Sequence, residues 1–298
     1  MKNSVNKRIQ EHLDFELNRL EIALSSDVLS YSGPIIDGIE NDFLQIVEDL
    51  SNDGNLLNGN QLNVDKKRIS VILTTEGGSS LAVERYVNIL RRFYDEVNFV
   101  VPSHAFSAGT IFCMSGDNIY MDFFSVLGPI DPQVKNREGR FVPALGYLDK
   151  INELLTKSSK NTLTPAEFII LKEFDLAELR AYEQARDLSI DLLKRWLVKY
   201  KFKNWEIHNT TKKGEPVTEQ DKILRAEDIA TKLTDNNLWK SHGRPINIEI
   251  LERELKLQIT DYGKSPDLQQ IVRSYHTLSA DYIRKNEIGI FIHTRKYI

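Results

Sequence analysis

Two segments of small residues, each at the end of an apolar run, have the composition of a nucleophile and its oxyanion hole. TTEGGSS (74–80) ends the run ISVILTT, and HAFSAGT (104–110) follows the run VNFVV. Ser107 is the candidate nucleophile. The backbone N–H groups of Gly77 and Gly78 are candidate oxyanion donors, because a residue without a side chain lets a carbonyl group approach closely. The Ala108 N–H, at the start of the next helix, is the other candidate donor. Either segment alone is also typical of a tight turn.

The elements around these segments predict an α/β fold. Apolar runs at DVLSYSGPI, ISVILTT, VNFVV and IYM alternate with helical patterns at 43–50 and 80–94. Such alternation indicates βαβ crossovers and a mostly parallel sheet that is covered on both faces. Because ligands of open α/β sheets bind beyond the carboxyl ends of the strands, we expect the two segments to meet in one crevice.

The rest of the chain predicts helices. Apolar residues at helical spacing over residues 5–24 indicate an amphipathic helix. Thr164 and Glu167 form a capping pattern around Pro165, at the start of a long helix that is expected to reach Tyr200. We therefore expect three parts: an N-terminal amphipathic helix at 1–26, a core that carries the candidate site at 27–150, and a mostly helical region at 151–298 that packs on the core.

The composition is that of a globular protein and excludes several other classes. Of the 298 residues, 41% are hydrophobic and 28% are charged, which argues against a disordered or collagen-like chain. The net charge of −4 provides no strong field for binding nucleic acid, and no uncharged run is long enough to span a bilayer. The single cysteine, Cys113, excludes an internal disulfide and is typical of a reducing compartment, so we expect a cytoplasmic protein.

The sequence lacks the common cofactor motifs. GxxxxGKS/T, GxGxxG, HExxH and CxxC do not occur, so we expect no nucleotide, metal ion or flavin as a cofactor. If the protein depends on ATP, a separate unfoldase would supply that activity.

Three motifs in the stretch 69–134 resemble the serine dehydrogenase proteinase family, a branch of the Clp-type serine peptidases that is related to signal peptide peptidase A. They are LTTEGGSSLAVERYVNIL, VVPSHAFSAGTIFCMSGDNIYM and VLGPIDPQV, in that order. The resemblance implies a ClpP/crotonase-like superhelix of ββα units and an acyl-enzyme on Ser107. It also implies an oxyanion hole from Gly77 or Gly78 together with Ala108, a peptide or protein substrate, and a homo-oligomer.

The general base is the component that the sequence identifies least directly. In Clp peptidases a histidine follows the serine in the segment that here reads LGPIDPQV, which contains none. Asp131 stands in this segment, and a carboxylate at its ordinary pKa is too weak a base to activate serine unaided, so its expected role is to orient a histidine. His242, in LWKSHGRPINIE, is the expected base, because relatives in the family carry a similar histidine ahead of Pro-Ile.

Other residues remain alternatives for the base. His104 is close to Ser107 in the chain, and we expect it to brace the turn or to face away from the site. The related signal peptide peptidases use a lysine, so Lys135 and Lys150 are further candidates, although both fit a solvated surface position better.

Two other functions fit the same fold. A crotonase-like acyl-CoA enzyme would use the same glycine N–H groups to stabilise a thioester enolate, with Glu76 as the nearby acid or base. A catalytically inactive scaffold subunit would keep the fold and lack the base. The first hypothesis is a serine peptidase with Ser107, His242 and Asp131 as its catalytic residues.

Overall fold

A six-stranded sheet organises the computed structural model of this chain, which describes residues 2–53, 56–57, 60–61, 67–130, 133–135, 141–210 and 212–298. The strands are β1 (Asp27–Ser32), β2 (Leu56–Leu57), β3 (Asn60–Gln61), β4 (Arg68–Thr74), β5 (Glu96–Val100), β6 (His104–Ala105), β7 (Asn118–Met121), β8 (Val126–Leu127), β9 (Gln133–Lys135), β10 (Phe141–Pro143), β11 (Thr260–Asp261) and β12 (Phe291–His293). The sheet has the order β11-β7-β5-β4-β1-β12. All its pairings are parallel except the last, between β1 and β12.

The helices surround this sheet and dominate the second half of the chain. They are α1 (Lys2–Leu24), α2 (Glu40–Asn52), α3 (Ser80–Phe93), α4 (Ala108–Met114), α5 (Ala144–Ser159), α6 (Pro165–Lys172), α7 (Leu176–Trp196), α8 (Glu219–Leu233), α9 (Asn236–Trp239), α10 (Ile248–Arg253) and α11 (Pro266–Asn286). A π-helical turn, Leu197–Lys201, extends α7, and a 3-10 turn, Tyr262–Lys264, precedes α11. Within the described part of the chain, no helix combines the length and the apolarity needed to cross a bilayer.

The central strands are buried on both faces, which confirms the predicted α/β class. In β4 the side chains of Val71 and Leu73 join the core that α2, α3 and α4 cover, and Ile72 joins the core on the opposite face. A near-continuous apolar run of this kind is typical of a parallel strand between two helical layers. The helix expected over residues 5–24 is present as α1, and it packs with α11 on the second face.

The long helix expected from Thr164 to Tyr200 is two helices. Thr164 begins the first with the predicted capping box, in which Glu167 bonds back to the cap. The side chain of Asp175 then accepts a hydrogen bond from the Ala177 N–H and starts α7 as a new helix. An aspartate caps a helix well because its carboxylate satisfies one of the free N–H groups of the first turn.

The terminal strand β12 is the main element that the sequence pattern misses. Its three residues add antiparallel to β1, with Ser30 opposite His293, so the last part of the chain completes the sheet. A run of three residues is too short to stand out against the helical pattern before it. The sheet therefore pairs its first strand in the sequence, β1, with its last, β12.

A buried ion-pair cluster fastens the end of the chain to α1 and β1. The Arg295 guanidinium lies 2.6 Å from a carboxylate oxygen of Glu21 and 2.8 Å from one of Asp27, and the Tyr94 hydroxyl donates to the same Asp27 at 2.8 Å. Burial raises the pKa of Glu21, and the charge of Arg295 opposes that rise. The two carboxylates are almost fully buried, and Arg295 is the cation that pairs with both of them.

We expect Arg295→Met to destabilise the fold by about 3 kcal/mol, because it leaves two buried carboxylates without their cationic partner. Urea denaturation of the full chain measures this loss. Arg284→Met is the matched control, since Arg284 pairs with Asp281 where both side chains are mostly exposed, and no measurable change is expected there. Equal midpoints for the two variants would contradict a stabilising role for the buried cluster.

Candidate active site

Ser107 occupies a strained turn between β6 and α4. Its backbone has φ 50° and ψ −114°, a conformation that costs a residue with a side chain about 1–3 kcal/mol and that surrounding structure must enforce. Every residue of the short helix that follows is buried, whereas Ser107 itself is half-buried. The turn therefore exposes a serine at the edge of a tightly packed core.

The glycine segment lies directly against this turn. A Cβ atom added to Gly77 would lie 2.9 Å from the Ser107 Cβ and 3.3 Å from the Ala108 nitrogen. Two hydrogen bonds join the strands that lead into the two segments: Thr75 N–H donates to the His104 carbonyl at 3.1 Å, and Phe106 N–H donates to the Thr75 carbonyl at 2.9 Å. The two segments form one crevice, because the carboxyl ends of neighbouring parallel strands meet at one edge.

The two glycines use their N–H groups differently. Gly77 donates its N–H to the Thr75 hydroxyl at 3.0 Å, so this donor is already engaged. At Gly78, the flanking groups pair with Ile35, whose N–H bonds the Gly77 carbonyl and whose carbonyl accepts from Ser79. Neither the Gly78 N–H nor the Ala108 N–H donates a hydrogen bond to any residue that the structure describes.

Thr75, Thr110 and Ile35 support the site, although the sequence analysis did not select them. Thr75 holds the Gly77 N–H, and Ile35 is within contact distance of Gly78, where a Cβ atom would lie 2.0 Å from the Ile35 carbonyl oxygen. Thr110 is fully buried, and its hydroxyl lies 2.9 Å from both the Ala105 and the Gly128 carbonyl oxygens. In the sequence, Thr75 and Thr110 stand in TTEGG and SAGT, where they look like small turn residues. Their contribution to the site comes from their hydroxyl groups, which form the hydrogen bonds.

His242 lies four residues before Ile246, in a loop that is tied to the same small sheet. Ile246 exchanges two backbone hydrogen bonds of 2.9 Å with Leu127, and β8 pairs with β6 just before Ser107. The His242 ring is half-buried, and burial lowers its pKa, an effect that the negative charge of Glu76 opposes. Its Nδ1 atom is buried and has no hydrogen-bond partner among the described residues. His242 therefore lies within the electrostatic range of the residue that precedes Gly77.

His104 has both ring nitrogens engaged. Nε2 lies 3.1 Å from a carboxylate oxygen of Glu76, and Nδ1 lies 3.0 Å from the Ser103 hydroxyl. The ring also stacks on Phe106, with centroids 5.2 Å apart. These contacts direct His104 toward Glu76 and match the bracing role that the sequence suggested.

Of the remaining candidate residues, only Lys150 has a side chain that the structure describes. Asp131 falls outside the described residues, which stop at Ile130 before resuming at 133, and only the backbone of Lys135 is described, in β9. Lys150 pairs with Glu153 at 2.9 Å on the exposed face of α5, as expected for a surface lysine. Over the described ranges, no three His, Cys, Asp or Glu side chains are grouped so that they could hold a metal ion.

Comparison with protein families matches this chain to one of them. The sequence model of the ClpP-like SDH-type serine proteinases matches residues 43–219, which is more than half of the chain. The range contains both glycines and Ser107, and it ends before His242.

Two similar curated proteins come from Methanocaldococcus jannaschii. Uncharacterized protein MJ1495 is 26% identical over 204 residues, which cover 68% of this chain and 56% of that protein. Uncharacterized protein MJ0137 is 40% identical over 68 residues, which cover 23% of this chain and 24% of that protein. The chain thus spans little more than half the length of the first relative and about a quarter of the second.

Among solved structures, similar chains include two mutant forms of the 1510-N membrane-bound stomatin-specific protease. One is 13% identical with a TM-score of 0.43, and the match covers 78% of this chain and 77% of that one. The other, in complex with a substrate peptide, is 15% identical with a TM-score of 0.43, and the match covers 78% and 73%.

We expect Gly77→Ala to disrupt the Ser107 turn, and Gly38→Ala is its matched control. The two glycines have nearly the same φ, 105° and 104°, so alanine adds similar backbone strain at both. Only at Gly77 would the new methyl group press on Ser107, whereas nothing lies within 4 Å at Gly38. Gly77→Ala should lose stability in urea and reactivity of Ser107 toward a fluorophosphonate, and Gly38→Ala should lose stability alone. Equal reactivity in both variants would show that this contact does not shape the site.

Proposed function

This chain belongs to the family of ClpP-like SDH-type serine proteinases, and we propose that it hydrolyses peptide bonds through an acyl-enzyme on Ser107. The observation that carries the proposal is the contact of Gly77 with the Ser107 turn, beside two backbone N–H groups without a partner in the described chain. A serine that is only half-buried, next to free N–H groups, is an arrangement suited to acyl transfer.

In the proposed mechanism, the Ser107 oxygen attacks the carbonyl carbon of the scissile peptide bond. His242 accepts the hydroxyl proton, and the N–H groups of Gly78 and Ala108 donate hydrogen bonds to the oxyanion that forms. Collapse of this intermediate breaks the carbon–nitrogen bond, and the leaving amine takes the proton from His242. A water molecule then hydrolyses the acyl-enzyme by the same steps in reverse order. Each oxyanion donor contributes about 3 kcal/mol of transition-state stabilisation in enzymes of this kind.

Gly78 is a better donor candidate than Gly77 in this scheme. The Gly77 N–H is held by the Thr75 hydroxyl, so its role is to let the two turns touch. The Gly78 N–H remains available, because the groups that flank it, and not its own N–H, pair with Ile35.

His242 is supported as the base by its environment. Partial burial lowers its pKa, which keeps the imidazole neutral and able to accept a proton near pH 7. For Asp131 the resemblance suggests an orienting role toward this histidine.

We also propose a homo-oligomer in the cytoplasm that acts on peptides or proteins. Three consecutive apolar side chains of α6, Phe168, Ile169 and Ile170, are each at least half exposed, which supports burial against another copy. The single thiol, Cys113, is buried, and burial raises its pKa, so it is protected as expected for a cysteine with a packing role. A separate unfoldase would be needed for folded substrates.

We expect Ser107→Ala to abolish labelling of the protein by a fluorophosphonate probe, because the probe reacts only with an activated serine. Ser115→Ala is the control, since it removes a buried hydroxyl at the other end of α4 and leaves the crevice unchanged. Gel-based labelling of both variants and the unmodified protein is the measurement. A well-folded protein that takes no label would favour the inactive scaffold instead.

The labelling rate should fall in acid with a midpoint below pH 6.5, the ordinary pKa of histidine, because burial lowers the pKa of His242. Protonation removes the lone pair that accepts the serine proton, so activity is present above the folded-state pKa and lost as the pH falls through it. His242→Ala should reduce the rate by about 100-fold or more and remove this acidic limb. The measurement is the labelling rate between pH 5 and 9.

His12→Gln serves as the control for this profile, because His12 is exposed on α1 and stacks on Phe15. Its profile should coincide with that of the unmodified protein. An unchanged profile in His242→Ala would remove His242 as the base and leave the role of Ser107 intact.

A further inference from the structure

A cavity of about 180 Å³ lies between α11 and the second face of the sheet. Its floor is formed by Ser30 and Ser32 of β1 and by Ile72 and Thr74 of β4, which lie opposite each other in the parallel register. Alternate residues of a strand point to the same face of a sheet, so these four side chains share one surface. Three of them are small and polar, whereas leucine, valine and tyrosine side chains fill the rest of this face. The cavity therefore lies where the sheet carries mainly small side chains.

One stripe of α11 forms the roof of the cavity. The stripe consists of His276, Ser279, Ala280, Ile283 and Arg284, whose spacing of three and four residues places them on one side of the helix. Ala280 and Ile283 give the roof an apolar part, while His276 and Arg284 carry nitrogen donors. The cavity thus combines apolar walls with a few polar groups, as binding pockets for small ligands do.

Several polar groups in the lining have hydrogen bonds left to make. The hydroxyls of Ser32 and Thr74 and the ring of His276 have no hydrogen-bond partner among the residues that the structure describes. The Ser279 hydroxyl, in contrast, donates to the His276 carbonyl at 3.0 Å. Polar groups beside a cavity are satisfied by water or by a ligand. Two hydroxyls and one imidazole are therefore available to a bound molecule.

The charges of the lining favour an anion. Among the described residues, no Asp or Glu side chain lines the cavity, and Arg284 contributes a permanent positive charge. Its partner Asp281, 2.5 Å away, is mostly exposed, and a surface pair of this kind holds the guanidinium only weakly. Burial and the charge of His104 lower the pKa of His276, so its ring is neutral and donates one N–H near pH 7. One cation and three neutral donors suit a single carboxylate.

The volume of the cavity limits the ligand to a short chain. One water molecule occupies about 30 Å³ in the liquid, so the cavity holds about six non-hydrogen atoms. Butyrate and the side chain of glutamate are of this size, and both join a carboxylate to a short aliphatic segment. The side chains of Ile72, Ala280 and Ile283 match that segment, because apolar surfaces gain free energy when they leave water together.

The cavity and the Ser107 crevice lie at the same edge of the sheet. Thr74 is the last residue of β4 and precedes Thr75, whose hydroxyl accepts a hydrogen bond from the Gly77 N–H. Ser32 is the last residue of β1 and lies opposite Thr74. A peptide bound along this edge would therefore pass both the crevice and the cavity.

The helix above the cavity is attached near both of its ends. Near the start of α11, Gln269 and Arg273 donate hydrogen bonds to Asp122, directly after β7. Just after its end, the Gly289 carbonyl approaches Gly33, directly after β1, so closely that a Cβ atom on Gly33 would lie 2.5 Å from that oxygen. These attachments give the cavity a defined shape. Both α11 and β1 lie outside the range that the family model matches.

We propose that this cavity binds a carboxylate on a short aliphatic chain. The carboxylate pairs with Arg284 and accepts hydrogen bonds from the hydroxyls of Ser32 and Thr74 and from the His276 ring, while the chain lies against Ile283. Two sources carry this chemistry: a free short-chain acid, and a glutamate side chain of a peptide in the crevice. Binding of the free acid is independent of the proposed peptidase function, and only the peptide source rests on it.

The first test titrates the full chain with sodium butyrate and with butyramide, its neutral analogue of the same shape, and follows binding by ligand-observed NMR. Butyrate should bind at least about tenfold more tightly, because the amide cannot form an ion pair with Arg284. Similar affinities would remove the carboxylate from the proposal, and tighter binding of inorganic phosphate would replace it by another anion. If neither compound shows saturable binding, the cavity is not a site for this class of ligand.

Two variants locate the bound acid. Thr74→Val removes a hydroxyl that has no partner in the described structure and keeps the shape of the side chain, and Arg284→Met removes the positive charge. Each should weaken butyrate binding by about tenfold. Thr277→Val and Lys285→Met are the matched controls at exposed positions of α11 that do not line the cavity, and their affinities should be unchanged. Equal affinity in all four variants would show that butyrate binds elsewhere and would overturn the assignment; urea midpoints check that each variant is folded.

A second test distinguishes the two sources of the carboxylate. It compares kcat/KM for fluorogenic peptides that carry glutamate or glutamine next to the scissile bond. If the peptide is the source, the unmodified protein prefers glutamate, and Thr74→Val and Arg284→Met lose that preference without slowing the glutamine peptide. If butyrate binds and no such preference exists, the free acid is the ligand.

Failure of this inference and failure of the proposed function give different results. A protein that is labelled at Ser107 and binds no butyrate loses the cavity site and keeps the peptidase function. A protein that binds butyrate and takes no label keeps the cavity site and loses the peptidase function.

Discussion

The candidate site depends on a contact between two backbone turns that leaves no room for a Cβ atom. At Gly77 an added methyl carbon would lie 2.8 Å from the Phe106 carbonyl oxygen and 2.9 Å from the Ser107 Cβ. Atoms at those distances repel strongly, so a residue with a side chain would separate the turns. This contact sets how closely the Ser107 hydroxyl and the N–H groups of Gly78 and Ala108 can approach one carbonyl group.

The strain at Ser107 is maintained by polar groups that have no place in a proton-transfer scheme. The Thr75 hydroxyl accepts a hydrogen bond from the Gly77 N–H and so holds the glycine turn. The buried Thr110 hydroxyl bonds the carbonyl groups of Ala105, in the strand before the serine, and of Gly128. Each replaces a backbone partner that the irregular turns cannot provide, because buried N–H and carbonyl groups must be bonded somewhere. Their loss would free the turn to relax toward an unstrained conformation.

The second face of the sheet is built from the two ends of the chain, outside the range that the family model matches. There α1 packs with α11, and a chain of hydrogen bonds runs from the exposed Asp14 through the buried His293 to the Tyr275 hydroxyl, at 2.9 Å for each link. With the Arg295 cluster beside it, this network ties the first helix and the last strand to β1. The crevice thus lies on a sheet whose edge strand comes from the end of the sequence.

The sequence by itself determined the α/β class, the parallel strands and the two small-residue segments, because apolar periodicity and turn residues are local properties of a chain. It also indicated the family through motif order. Only the tertiary structure decided that the Gly77 N–H is engaged while that of Gly78 is available, that Glu76 pairs with His104, and that β12 closes the sheet. The Gly77 N–H is held by a residue only two positions away, whereas the other contacts join residues far apart in the chain, and neither kind of contact leaves a periodic signal in the sequence. The sequence therefore identified the two segments that form the crevice, and packing decided which of their atoms face each other.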